Sequence, residues 1–197
     1  QALQAIRKVG RENPESKIIV TGCAAQINPK KFSDLQEVTQ VIGNQEKMHL
    51  ETFLTPSPSR VLVNDIMSLK ETAAHMITSF EGKTRAFIEV QNGCNHRCTF
   101  CTIPYGRGNS RSVPMGAIFD QVKELVHKGV QEIVLTGVDV TSYGEDLPGT
   151  PKLGQMIRRL FLSVPQLKRL RLSSLDPVEV DEDLFMEFKN NPRLMPH

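Results

Sequence analysis

Three of the chain's four cysteines fall within eight residues, in Cys94-Asn-His-Arg-Cys98-Thr-Phe-Cys101, and no fourth thiol lies near enough in sequence to complete a local set. Thiolates hold the irons of iron-sulfur clusters, and a 4Fe-4S centre ordinarily takes four of them. Three ligands therefore imply a 4Fe-4S cluster with one iron open to another donor, which suits chemistry at the metal. The spacing, three and then two intervening residues, lets a short loop wrap one corner of the cluster, with Asn95, His96, Arg97, Thr99 and Phe100 filling the gaps. Two other chemistries draw on the same residues. A zinc site would recruit His96 or His127 as a fourth ligand, and Cys98 with Cys101 alone forms the C-x-x-C of a redox dithiol. The remaining thiol, Cys23, ends a strand-like Lys17 to Thr21 run, and a lone cysteine there is more often a small buried hydrophobe than a ligand.

The elements that must position the loop alternate in type. Arg85 to Val90 reads as a strand feeding the cysteines, Ala117 to His127 as a helix stopped by Lys128-Gly129, and Glu132 to Thr136 as a second strand. Leu153 to Leu162 follows as a helix, Leu170 to Ser173 as a third strand, and Asp183 to Lys189 as a helix entered through Asp181. Successive strand and helix pairs predict a parallel sheet curling toward a barrel, whose sites lie at the carboxyl ends of the strands. Thr136, Gly137, Ser173 and Ser174 close their strands on that side, although strand-ending turn chemistry alone explains such residues.

Ahead of this lies a smaller α/β pattern. Lys17 to Thr21 and Val38 to Ile42 read as strands, Lys30 to Glu37 and Gln45 to Leu54 as helices, and Ala2, Leu3, Ile6 and Val9 as the face of an amphipathic helix already under way at Gln1. Thr55-Pro-Ser-Pro-Ser59 is a turn-rich break, and residues 68–84 have no sustained period. The expected organisation is a first domain over residues 1–55, a linker over 56–84 and a second domain over 85–197, with the chain incomplete at both ends.

Composition is that of an ordinary globular protein, 39% hydrophobic and 23% charged, with no apolar run long enough to span a membrane. No secretory leader is read at the N-terminus, and the cysteine usage suits a reducing compartment, so cytoplasm is the expected location. A net charge of +2 does not by itself argue for nucleic acid, and the local basic run Arg158, Arg159, Lys168, Arg169 and Arg171 reads first as a solvated face. Gly106-x-Gly108 lacks the preceding strand of a phosphate loop.

With its cysteine loop, the segment Gln91 to Pro104 resembles the radical S-adenosylmethionine (SAM) enzymes, and within them the methylthiotransferases. Thr21-Gly22-Cys23, Pro104-Tyr105-Gly106-Arg107-Gly108 and Leu170 to Pro177 extend the resemblance over essentially the whole chain. Leu135-Thr136-Gly137-Val138 with Ser142 to Leu147 resembles the bacterial tRNA branch acting on threonylcarbamoyladenosine. The resemblance implies an α/β architecture, a small parallel-sheet domain followed by the first half of a partial (β/α) barrel. It implies a 4Fe-4S cluster on Cys94, Cys98 and Cys101 that binds and reductively cleaves SAM, with Phe100, Thr136, Gly137, Ser173 and Ser174 at the cofactor. A second 4Fe-4S cluster, held here only by Cys23, would deliver the sulfur. The implied partners are the tRNA anticodon loop and a reductant protein, with no membrane. The implied product is a 2-methylthio group on N6-threonylcarbamoyladenosine, and the segment alone is expected to be inactive. An isopentenyladenosine or ribosomal-protein methylthiotransferase remains an alternative, and a noncatalytic zinc module a distant one.

Overall fold

The computed structural model describes residues 1–55, 57–70 and 84–196. These form two compact units, one of residues 1–69 with 96–109, the other of the described residues from 70 to 95 and from 110 onward.

The first unit contains α1 (Ala2–Glu12), β1 (Ile19–Thr21), α2 (Cys23–Ile27), α3 (Pro29–Ser33), β2 (Gln40–Ile42), α4 (Glu51–Leu54) and β3 (Val61–Leu62). Its three strands are parallel in the order β1-β2-β3, with Val41 opposite both Val20 and Val61. Leu3 and Ile6 of α1 pack with Ala25, Phe32, Val38 and Val41, so the apolar stripe of the first helix closes one side of this core. Strand β3 lies inside the stretch expected to be linker. Val61-Leu62-Val63 is too short to show a period, and its strand state comes from pairing with β2. Within that stretch Pro56 and residues 71–83 lie outside the described residues. The helix expected over Gln45 to Leu54 is instead a 3-10 turn at Glu46–Met48 and the single turn α4; neither buries a residue, so no packing supports a continuous helix. Likewise α3 stops at Ser33, short of Glu37; its start is fixed by Asn28, whose side chain accepts from Lys31 N at 3.1 Å.

Numbering continues with β4 (Arg85–Glu89), β5 (Gln91–Asn92), α5 (Ile103–Arg107, which groups with the first unit), β6 (Arg111–Ser112), α6 (Met115–His127), β7 (Glu132–Thr136), α7 (Leu153–Ser163), β8 (Arg169–Leu172) and α8 (Glu182–Asn190). In the second unit β4, β7 and β8 are parallel and adjacent in chain order, with α6 and α7 as crossovers. This is the consecutive β/α arrangement that begins a barrel. Register places Ala86 and Ile88 beside Ile133 and Leu135, and those beside Leu170 and Leu172; these side chains share one sheet face and form the core with Ile118, Val122, Leu125, Met156, Ile157 and Leu160 of the helices. Each of these side chains except Ala86 contributes about 1.5–3 kcal/mol by leaving water. Asp181 caps α8 through Leu184 N at 2.8 Å, as its position before the helix predicts.

The opposite face carries charge. Glu132, 4% exposed, accepts from the Nε atoms of Arg85 at 2.5 Å and of Arg169 and Arg171 at 2.9 Å each. Burial pushes the Glu132 pKa up, but the hydrogen bonds from Arg169 and Arg171 and the charge of Arg85 outweigh it and leave the carboxyl below its ordinary value. Arg158 pairs with Asp183 and Glu187 at 3.1 and 2.9 Å. Three members of the basic run thus have intramolecular partners.

Candidate metal centre

The chain leaves β4 through Val90 and reaches Cys94 by way of Gln91, which is completely buried. Its amide is fully used. Gln91 Nε2 donates to Gly93 O at 2.7 Å and Ser110 Oγ at 2.9 Å, while Oε1 accepts from Val138 N at 3.0 Å and Asp139 N at 2.8 Å. One side chain therefore ties the segment before Cys94 to the loop after β7. Gly137 makes room for it, since a Cβ there would meet Gln91 O at 2.8 Å and Gln91 Oε1 at 2.9 Å. The tied loop brings the Asp139 carboxylate to 3.7 Å from Cys94 Sγ. Behind it β5 pairs antiparallel with β6, Ser112 N donates to Asp146 Oδ2 at 2.9 Å, and Tyr143 OH donates to Val113 O at 2.7 Å. Burial, and secondarily the charge of Asp146, hold the Tyr143 phenol above its ordinary range; burial lowers the Arg111 pKa against the opposing charges of Glu89 and Asp146.

Thr136 ends β7 and Ser173 follows β8, where its N–H donates to Leu135 O at 3.0 Å. Ser173 Oγ is buried without a hydrogen-bond partner among the described residues. A hydroxyl in that state costs stability unless a ligand satisfies it. Ser174 is exposed.

In the first unit, Cys101 N donates to Cys98 O at 3.0 Å, a tight turn that presents two thiols, with Phe100 88% exposed at its tip. Arg97 donates to Asn109 Oδ1 at 2.7 Å and spans the base of the segment. Cys23 opens α2 immediately after Gly22, whose φ of +108° lets the chain turn from β1 into the helix. Helix α5 lies against this thiol. A Cβ at Gly106 would fall 2.8 Å from Cys23 Cβ and 3.3 Å from its Sγ, so only glycine permits the approach. Asn44, at the end of β2, donates to Gly106 O at 2.6 Å and Cys23 Sγ at 3.6 Å.

The structure thus groups Cys94, Thr136, Gly137, Ser173 and Ser174 in the second unit, and Cys23, Cys98, Phe100 and Cys101 in the first. Cys23 was expected in a domain separate from all three loop cysteines; it shares a unit with two of them. His127 closes α6 ahead of β7, whereas Cys94 follows the far end of β4. A five-residue strand, roughly 13 Å at 3.3 Å per residue, separates the two levels, so His127 does not complete a zinc set with Cys94. Gln91, Asp139 and Asn44 were not singled out in the sequence. Glutamine directly after a strand and before Asn-Gly-Cys was the signal available for the first.

All four cysteines are free thiols. The profile of the radical SAM superfamily matches residues 88–192. The chain belongs to the radical SAM superfamily. Membership implies a 4Fe-4S cluster and SAM, and the donor set fits them: three free thiols in one loop, and an unsatisfied hydroxyl at the carboxyl end of β8. Over its whole length the chain is 58% identical to the threonylcarbamoyladenosine tRNA methylthiotransferase MtaB of Rickettsia prowazekii (strain Madrid E), covering 47% of that protein. It is 38% identical to the protein of the same name from Aquifex aeolicus (strain VF5), with 98% of this chain and 48% of the relative aligned. With the tRNA-2-methylthio-N(6)-dimethylallyladenosine synthase of Roseiflexus sp. (strain RS-1) it shares 31% identity over 98% of this chain and 39% of the relative. The radical SAM chain therefore spans about half the length of the curated relatives it matches. Among its described residues no helix is long and apolar enough to cross a membrane.

Proposed function

We propose that this chain is the cluster-bearing part of a tRNA methylthiotransferase that places a methylthio group on C2 of N6-threonylcarbamoyladenosine in the anticodon loop. The observation that carries the reading is the cysteine triad at the exit of the first strand of a radical SAM domain, in a chain 58% identical throughout to a protein named for that reaction. Cys94, Cys98 and Cys101 would hold the 4Fe-4S cluster. Cluster and SAM, when bound, supply the one-electron cleavage that opens an unactivated C–H bond. Gln91 holds the approach to Cys94 rigid against the loop after β7. Thr136, Gly137, Ser173 and Ser174 would face SAM, Ser173 through a hydroxyl that has no hydrogen-bond partner among the described residues. Phe100 would lend apolar surface to it from the tip of the turn. Cys23 would hold part of a second 4Fe-4S cluster that provides the sulfur, its other ligands coming from outside this chain. A reductant protein and the tRNA are the partners, the adenosine being splayed from its loop to be reached; a reducing cytoplasm suits four free thiols, of which Cys98 is exposed.

Nucleoside mass spectrometry on a host lacking its own enzyme, complemented with the full-length gene, tests the proposal. Methylthio on threonylcarbamoyladenosine is expected. Methylthio on isopentenyladenosine alone, or on a ribosomal protein with no tRNA product, overturns the substrate; zinc in place of iron in anaerobically purified protein overturns the chemistry.

A further inference from the structure

The face of the β4-β7-β8 sheet turned away from the helices is only half covered. Register sets Arg85, Glu132 and Arg169 side by side on it, with Phe87, Val134 and Arg171 in the next row. Glu132 takes up the Nε–H of all three arginines, and none of their terminal guanidinium nitrogens has a hydrogen-bond partner among the described residues. The side chains of Arg85, Arg169 and Arg171 are 51%, 45% and 40% exposed, and Phe87 is 49% exposed. Three guanidiniums against one carboxylate leave this patch positive. Glu89, the other acid of these strands on the same face, already accepts from Asn92 Nδ2 at 3.1 Å.

We infer that this face is an internal interface of the full-length protein, on which a polypeptide segment from outside residues 1–197 lays apolar side chains over Phe87 and brings a carboxylate to the terminal nitrogens of Arg169 and Arg171. Parallel sheets are stable with both faces covered, and the helices pack on only one here. The occupant must match a mixed surface. A nucleic-acid backbone would satisfy the charge but leave the phenyl ring in water, and an apolar segment alone would bury guanidiniums without a counter-charge. A carboxylate grips the edge of a guanidinium through two parallel hydrogen bonds, the geometry that open terminal nitrogens offer. Polypeptide is at hand, since the chain spans about half the length of its relatives. The edge of β8 also accepts a further parallel segment: Leu170 N donates to Arg193 O at 2.8 Å, and Met195 N donates to Leu170 O at 2.9 Å. The inference does not depend on which cluster or substrate the protein uses.

The test is modification of arginines in the full-length protein by phenylglyoxal without tRNA, with the rate at each residue read by peptide mass spectrometry. Arg159, exposed on α7, is the reference. Arg169 and Arg171 are expected to react about tenfold or more slowly than Arg159 in the native protein, and at the same rate as Arg159 once urea unfolds it. Native rates equal to that of Arg159, or slowed only when tRNA is added, overturn the inference. Because Glu132 alone can slow its arginines, the occupant is identified separately in Arg171→Lys, whose ammonium a carbodiimide couples to a touching carboxylate. A cross-linked peptide carrying Asp or Glu from outside residues 1–197 supports the inference; coupling confined to acids within 1–197, or no coupling, overturns it. Should Arg171→Lys fail to fold, Arg169→Lys serves in its place with the same two outcomes.

Discussion

Replacing Gln91 tests whether one buried amide holds the approach to Cys94. In Gln91→Met the volume is nearly kept, so packing loss is small. The N–H groups of Val138 and Asp139 lose their shared acceptor, and Gly93 O and Ser110 Oγ lose a donor. A buried donor left unsatisfied costs about 1–3 kcal/mol. Val138 and Asp139 are only half-buried, so water relieves part of this. Two such groups at the lower end of the range give about 2–3 kcal/mol, which at a urea slope of roughly 2 kcal/mol/M moves the unfolding midpoint down by about 1–1.5 M. Iron retained at the cysteine loop is expected to fall in parallel. Gln91→Glu adds a sign that can be checked. One oxygen still accepts from the two N–H groups, but the other faces Gly93 O and needs a proton to bond it. The folded-state pKa of the new carboxyl is therefore raised. Its stabilising contribution is fully present below the unfolded value of about 4.3 and is lost as pH rises through the folded value. Urea midpoints for Gln91→Met equal to wild type, or a Gln91→Glu deficit that does not change with pH, would refute the reasoning.

Cys94→Ala, Cys98→Ala or Cys101→Ala in the full-length protein should each abolish reductive SAM cleavage, whereas Cys23→Ala should spare cleavage and stop methylthio transfer; product analysis by mass spectrometry separates the two. Gly154→Ala sets a Cβ 2.3 Å from Leu184 N and 2.5 Å from Asp183 C, backbone atoms at the start of α8. Overpacking of about 3 kcal/mol less the roughly 1 kcal/mol gained by alanine in a helix leaves about 2 kcal/mol of destabilisation, or about 4–8 °C in a thermal melt. Glu132 titrates below its ordinary 4.5, so its stabilisation is present above that pH and is lost as pH falls through the depressed value. Glu132→Gln should flatten that acid limb and, with three half-exposed arginines left around a neutral amide, cost about 2 kcal/mol at pH 7 in urea titrations.

The elements that were legible in the sequence are those whose own residues carry the cause of their structure. Glu132–Thr136 was read with its observed bounds because five residues, buried but for the last, sit between a Lys-Gly stop and a Thr-Gly turn. Helix α8 was legible from Asp181, a cap that acts three residues away. The misses are elements stabilised from elsewhere in the chain. Helix α2 has only five residues and no side-chain cap, and it is held by Gln26 reaching Asn44 and Asn64. Helix α5 contains a proline and a glycine, poor helix formers, and that glycine is there for Cys23 rather than for the helix. Strand β3 exists because β2 offers an open edge.

The same division runs through the candidate site. Thiols declare themselves by type and spacing, because metal chemistry restricts which residues can serve and a short loop must bring them together. The groups that orient them carry no such signature. Gln91 reaches Asp139 across 48 positions, and Asn44 reaches Gly106 across 62. Amide side chains of this kind are common on any surface, and only burial turns them into couplings, since a donor removed from water must find an acceptor wherever the fold supplies one. The candidate thiols are therefore legible before the fold, and the polar contacts that support them only after it. Substitution of Gln91, which touches no ligand atom by covalent bond, is accordingly expected to change what the cysteines can hold.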